Sequence, residues 1–128
     1  MTSEKFLSLK RAAERRGRRG EFLAMLALVL KGYRILGRRI RTHAGEIDMV
    51  AQSPGGIVCF VEVKTRTTLR QAQEALLPRQ EMRIARAAEL FMVQRPWLVA
   101  RGMRFDVIVV SDRTWPRHVR DAWRPRSR

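Results

Sequence analysis

The sequence predicts an α/β fold: a single domain with a mixed central β-sheet flanked by helices. Three observations lead there. Apolar, β-branched runs that read as strands lie at 57–64 and 103–110, and a helical repeat of apolar residues separates them. A chain of 128 residues has room for one hydrophobic core. The order of elements, helix, three strands, helix, then one or two strands, is that of a small domain in which helices cover a sheet.

Residues 1–17 are charged, with only Phe6, Leu7 and Leu9 as larger apolar groups, and read as a basic arm that is mobile or marginally helical. The α/β domain is expected over 18–123, and RPRSR at 124–128 as a basic C-terminal tail. From Glu21 to Leu30 helix formers are apolar on nearly every side, and Lys31 and Gly32 supply a stop, so a buried helix is predicted. Tyr33 to Arg41 alternates loosely as a first strand. GEIDMVA at 45–51 and IVCFVEVK at 57–64 flank SPGG, whose Pro and Gly mark the turn of a β-hairpin. Beyond it Ile84, Ala88 and Phe91, with Ala85 and Met92 beside them, recur at helical spacing, while Arg79, Arg83 and Arg86 fall on another face. Pro96 ends that helix. MRFDVIVV at 103–110 is a core strand and RHVRDAW at 117–123 a short last one.

Twenty-seven Lys and Arg against 12 Asp and Glu leave a formal charge of +15 and a sequence pI near 11.7. So basic a domain implies a polyanionic partner, nucleic acid first, although a ribosomal or membrane-surface protein can be as basic. Part of the excess lies in tails such as RRGRRG, where a flexible arm needs no fold to bind phosphate. The lone cysteine, Cys59, excludes an intrachain disulfide and reads as a buried structural thiol in a reducing compartment. His43 and His118 have no cysteine or histidine at ligand spacing, which argues against zinc. FLAMLALVL at 22–30 follows arginines as a signal peptide's apolar region does. Glu21 borders it, however, no small-residue cleavage site follows, and it is too short to span a bilayer. A cytoplasmic protein without membrane association is expected, as a monomer or a homodimer.

The strand IVCFVEVK carries two charges, Glu62 and Lys64, in an otherwise apolar run. Two hairpin registers fit the hydrophobic pattern. With Gln52 facing Val58, Val50 lies opposite Phe60 and Asp48 opposite Glu62, so both carboxylates point to one face, and Lys64 joins them by the period-two alternation of strands. With Gln52 facing Ile57, Asp48 turns to the other face. Two carboxylates a few ångströms apart repel and raise a pKa unless a cation intervenes, and oxygen ligands of this kind suit Mg²⁺ or Mn²⁺. Glu21 could add a third carboxylate. Lys64 could orient a water or stabilise charge on phosphoryl oxygens. The plainer reading makes E-x-K a same-face ion pair on a solvated strand. It is weakened because the strand is apolar at odd and even positions alike, so that Glu62 should be buried, where an unpartnered carboxylate costs several kcal/mol. Glu46 reads as a partner of Lys64 or a cap of the turn, and Glu21 equally as a first-turn residue favoured by the helix dipole. Asp106 repeats the anomaly of a buried acid, and pairs either with Arg104 or a helix arginine, or supports the site.

RRGE at 18–21, GYRILGRRIR at 32–41, GEIDMVA, FVEVKTR at 60–66, AAELF at 87–91, RFDVIVV at 104–110 and HVRDAW at 118–123 resemble, in order, the YraN-like family of small bacterial proteins. The resemblance covers nearly everything after residue 17. It implies a restriction-endonuclease-like or Holliday-junction-resolvase-like nuclease fold, in which an Asp and then an E-x-K pair on the next strand bind metal and cut a phosphodiester. Asp48, Glu62 and Lys64 match those positions, and Glu21 matches a first-helix Glu. Arg39 departs from the family pattern, which has Asn there, and Arg79 stands for the usual Lys before Gln80. The resemblance thus implies a nuclease that uses Mg²⁺ or Mn²⁺, with Asp48, Glu62, Lys64 and Glu21 catalytic and the three acids holding the metal. Its substrate would be DNA, branched or single-stranded, contacted by Arg66, Arg79, Gln80 and Arg83. The alternative is a nucleic-acid-binding protein that keeps the fold without cutting. On sequence alone the arginine face of the second helix is by default merely solvated.

Overall fold

The computed structural model describes residues 3–65, 78–112 and 114–125. Its elements are α1 (Ser3–Leu30), β1 (Arg34–Arg41), β2 (Glu46–Gln52), β3 (Val58–Thr65), α2 (Pro78–Val93), a 3₁₀ helix (Pro96–Arg101), β4 (Met103–Val110) and β5 (Arg117–Trp123). The strands form one five-stranded sheet in the order β1-β2-β3-β4-β5, antiparallel except for the parallel pair β3/β4. A parallel neighbour needs a crossover, and α2 with the 3₁₀ helix lies between those two strands in sequence. This is the α/β domain with a mixed sheet and flanking helices that the sequence predicts, and it is consistent with a nuclease-like fold.

Each face of the sheet carries its own core. Ala24 and Leu28 of α1 pack on Met49, Ala51, Cys59, Val61 and Ile108. Ile84, Ala88 and Phe91 of α2 pack on Val50, Phe60 and Phe105 on the other side. Phe60 meets Phe91 edge-on with centroids 5.8 Å apart and stacks on Phe105 at 5.6 Å. With a helix on either side, β3 is buried at successive positions from Val58 to Glu62, which is why its sequence is apolar without alternation.

Two expectations about the first helix are corrected. It begins at Ser3, not near residue 20, so the backbone of the basic segment 3–17 continues the helix. Nor is it buried all round: Ala24, Ala27 and Leu28 are covered, while Phe22, Val29 and Leu30 are exposed. A helix lying on one face of a single sheet can bury only one stripe, however apolar its other sides. The 3₁₀ helix, in which only Leu98 is buried, was not foreseen either. Among the described residues no helix is long and apolar enough to cross a membrane.

Two close approaches set where the helices sit. A Cβ on Gly20 would stand 3.2 Å from Thr65 Oγ1, so the missing side chain lets α1 lie against the end of β3 and brings Glu21 to that end of the sheet. A Cβ on Gly45 would stand 3.2 Å from Arg83 Cβ, and there the start of α2 closes on the β1–β2 turn.

Candidate active site

The site is built by the β2–β3 hairpin, whose turn chemistry selects one of the two possible registers. Ser53 N donates to Ile57 O at 2.9 Å, Ile57 N donates to Ser53 Oγ at 3.0 Å, and Gly56 N donates to Ser53 O at 2.8 Å. Gln52 Nε2 reaches Gly56 O at 3.0 Å. These bonds close a loop over 53–57 and pair Gln52 with Val58, Ala51 with Cys59, Val50 with Phe60 and Met49 with Val61. Continuing the count sets Asp48 across from Glu62, as the second register requires. Past Met49–Val61 the ladder itself gives way. The Val63 amide donates to Asp48 Oδ2 at 2.9 Å, so a carboxylate takes the place of a backbone carbonyl as acceptor.

Asp48 and Glu62 are close neighbours, each carboxyl acting on the ionisation of the other. Glu62 is only 9% exposed, and its Oε1 is buried with no hydrogen-bond partner. Burial first, and then the neighbouring Asp48 charge, push the Glu62 carboxyl up to about 8, against the pull of Lys64. Asp48 is raised as well, chiefly by burial and then by the charge of Glu21, while the Val63 amide and Lys64 oppose the rise. Lys64, two residues along β3 and half-buried, is thus near enough to act on both acids. The cluster of acid, acid and lysine that the register implies is present.

Glu21 is held differently. Arg39 Nε donates to Glu21 Oε2 at 2.8 Å, leaving the Glu21 side chain 19% exposed. Because α1 starts at Ser3, Glu21 is an interior helix residue, and the first-turn reading of it fails. Arg39 has φ +49, a left-handed conformation that suits Asn better than Arg. Among the described residues no three of His, Cys, Asp and Glu converge closely enough to form a metal-holding group. Of the three expected ligands, then, Asp48 and Glu62 are in contact, and Glu21 stays on its arginine. Two apposed carboxyls, one with an orphaned buried oxygen, fit a hard divalent cation.

Arg79, Gln80 and Arg83 are all exposed on the first turns of α2, Arg83 with its Cβ against the turn that precedes Asp48. Arg66 lies outside the described residues. Glu46 does not cap its turn: Thr42 Oγ1 does so, accepting from the Ala44 and Gly45 amides at 3.1 Å each and donating to Gly45 O at 2.8 Å. Asp106 is fully buried and paired with Arg104, which resolves the alternatives for it. Burial would raise its carboxyl, but hydrogen bonds from His118 and Arg104 win and hold it at about 2. Cys59 is buried, and desolvation pushes its thiol up to about 11, as suits a structural residue. Sequence reasoning missed Arg39 as the partner of Glu21. Its signal was an arginine where the family pattern places the smaller Asn.

Comparison with known proteins agrees with this chain-wide resemblance. Residues 20–110 match the Uncharacterised protein family UPF0102. A UPF0102 protein of Parvibaculum lavamentivorans is 50% identical over 114 residues, covering 89% of this chain and 85% of that one. One from Paramagnetospirillum magneticum is 50% identical over 117 residues, 88% and 90% of the two chains. One from Chelativorans sp. is 44% identical over 126 residues, 98% of this chain and 100% of its own. The matched span runs from Gly20, at the α1–β3 contact, to the last residue of β4 and contains Glu21, Asp48, Glu62, Lys64 and Asp106. The chain belongs to the UPF0102 family.

Proposed function

We propose that the chain is a metal-dependent nuclease that hydrolyses phosphodiester bonds in DNA, branched or single-stranded, in DNA processing or repair. One observation carries this reading: Glu62, buried in a core strand, presses against a second carboxyl and leaves Oε1 without a partner. A purely structural acid at such a depth would be matched by donors, as Asp106 is. Asp48 and Glu62 are the residues that would hold Mg²⁺ or Mn²⁺. A bound ion of this kind polarises a phosphodiester and lowers the pKa of a water.

The chain's own groups divide the remaining work. Asp48 is oriented by the Val63 amide on Oδ2. Glu62, once ionised, would offer its unpartnered Oε1 to the cation. Lys64, on the same face, stabilises the negative charge that grows on the phosphoryl oxygens as a water oxygen bonds to phosphorus and the bond to the sugar oxygen breaks. Arg79, Gln80 and Arg83, with Arg66, would contact the strand. Beside the Thr65 end of β3, a cleft of about 300 Å³ bounded by Arg19, Thr65, Ser111 and Trp115 offers a cation and an exposed indole on which an unpaired base can stack. The buried, unreactive Cys59 suits a reducing cytoplasmic setting.

Nuclease action is tested with Mg²⁺ or Mn²⁺ and a panel of single-stranded, duplex and branched DNA and RNA. Cleavage is expected, and Glu62→Gln and Lys64→Ala should abolish it while leaving the fold and nucleic-acid binding nearly unchanged. A second reading, a nucleic-acid-binding domain that does not cut, draws on the engagement of Glu21 by Arg39 and the lack of a three-ligand group among the described residues. It prevails if no substrate is cut and calorimetry finds identical metal binding in the wild type and Asp48→Asn.

A further inference from the structure

At the turn end of the sheet lies a second charged constellation, which the Asp48–Glu62 pair does not use. Asp106 accepts two parallel hydrogen bonds from Arg104, Nε to Oδ1 and Nη2 to Oδ2, each 2.8 Å. The Asp121 amide donates to Oδ1 at 3.0 Å, and His118 Nε2 stands 2.7 Å from Oδ2. Asp121 reaches this position with φ +52, at an irregularity in the β4–β5 register. Arg104 Nη2 also donates to the Tyr33 hydroxyl at 2.8 Å, and Lys31 Nζ is hydrogen-bonded to His118 Nδ1. The Tyr33 and His118 rings meet edge-on, 5.5 Å between centroids. Asp106 is therefore saturated, with Arg104 as its bidentate ion-pair partner.

Above this network opens a cleft of about 520 Å³ bounded by Lys31, Tyr33, Arg104, His118, Arg120 and the Ser53–Gly55 turn. Three basic side chains line or floor it, Lys31, Arg104 and Arg120, and no Asp or Glu is among the lining residues. Of the acids nearby, Asp106 is fully buried beneath them and Asp121 turns its carboxylate to Arg124. Lys31 and Arg120 are close enough that, after the effect of partial burial, the Arg120 charge depresses the Lys31 pKa. Lys31 and Arg120, which no lining acid matches, repel one another, and an anion relieves the repulsion. Arg104 is fixed as a planar fork by Asp106, and its Nη1 takes no part in the bonds to Asp106 and Tyr33. A fixed guanidinium, an ammonium and a second guanidinium around one cleft match the several acceptor oxygens of a tetrahedral oxyanion.

We propose that this cleft binds a phosphate group. It is separate from the carboxylate pair: Ser53, at its rim, lies five residues beyond Asp48 past the end of β2, roughly 16 Å at the rise of a strand. The phosphate has two possible sources, a free phosphate such as inorganic phosphate or a mononucleotide, and the backbone of a nucleic-acid strand.

The test is calorimetric titration of the full chain with inorganic phosphate at low ionic strength and constant chloride. Arg120→Ala and Lys31→Gln are compared with Arg86→Ala, which removes an equal charge from α2 on the other face of the sheet. One-to-one binding in the millimolar range or tighter is expected, weakened at least about tenfold by Arg120→Ala or Lys31→Gln and within about twofold of wild type for Arg86→Ala. Thermal unfolding of each variant confirms that it is folded. Absence of phosphate binding, or equal weakening by Arg86→Ala, overturns the proposal, since the latter would mean bulk charge alone. A parallel titration with a single-stranded oligonucleotide identifies the source. If Arg120→Ala also weakens it beyond Arg86→Ala, the phosphate belongs to a strand; if not, it is a free one. Glu62→Gln should leave phosphate binding unchanged, so the outcome is independent of whether the chain cuts DNA.

Discussion

Replacing Glu62 by Gln should change how the stability of the protein depends on pH, and the structure gives both direction and size. In the folded chain the Glu62 carboxyl ionises at about 8, against an ordinary 4.5, because it is buried against Asp48. Below pH 4.5 both folded and unfolded chains carry the proton, and Glu62 imposes no penalty. Between pH 4.5 and about 8 only the folded chain holds it, so stability falls as pH rises through that window, and levels off above it. At about 1.4 kcal/mol per pH unit the displacement amounts to at most about 5 kcal/mol, and a few kcal/mol should be measurable once opening of the site admits water. Glutamine keeps the shape and cannot ionise. Chemical denaturation of both proteins from pH 4.5 to 8.5 should therefore show Glu62→Gln gaining on the wild type by a few kcal/mol across the range. Added Mg²⁺ or Mn²⁺ at pH 8 should recover much of that difference in the wild type alone, by binding the ionised pair. Parallel pH curves for the two proteins would refute the argument, because they would mean that Glu62 ionises in the folded state as it does in the unfolded one.

Three other outcomes follow from the same geometry. Asp106→Ala strands Arg104 and His118 beside one another and should destabilise the domain by about 3–5 kcal/mol in urea unfolding; a loss below about 1 kcal/mol would show that the pair is dispensable. Since its carboxyl ionises near 2, the stabilisation by Asp106 is present above the ordinary carboxylate range and lost only as pH falls toward 2, a window apart from that of Glu62. Arg39→Asn relieves a left-handed backbone and removes a half-exposed ion pair, so melting should move by no more than the equivalent of about 1 kcal/mol, whereas loss of several kcal/mol would make Arg39 a structural anchor. Trp115→Ala should weaken binding of a single-stranded oligonucleotide by about 1–3 kcal/mol and leave duplex binding nearly as it was; an equal effect on both would exclude base stacking at that indole.

The secondary structure was legible because it depends on local periodicity and turn residues. Ile84, Ala88 and Phe91 mark a helix whatever they pack against, and the unalternating β3 announced a strand covered on both faces, which placed Glu62 in the interior before any neighbour was known. The acid pair was legible only to within a choice of two registers, since the apolar pattern of β2 and β3 tolerates both. What decides is the Ser53–Ile57 closure, in which a side-chain hydroxyl and two amides fix a five-residue loop. Other features belong to the tertiary structure alone. Glu21 meets Arg39 because Gly20 lets α1 settle on the end of β3, a distance between backbones that no spacing in the sequence reports. The first helix proved one-sided because a helix on a single sheet has one covered face, a property of the partner surface and not of its own residues. Arg104 and Tyr33 are 71 positions apart, and Lys31 and His118 are 87 apart. Their meeting around Asp106 depends on β4 and β5 being laid side by side, and in the sequence these residues are only two cations, a tyrosine and an isolated histidine.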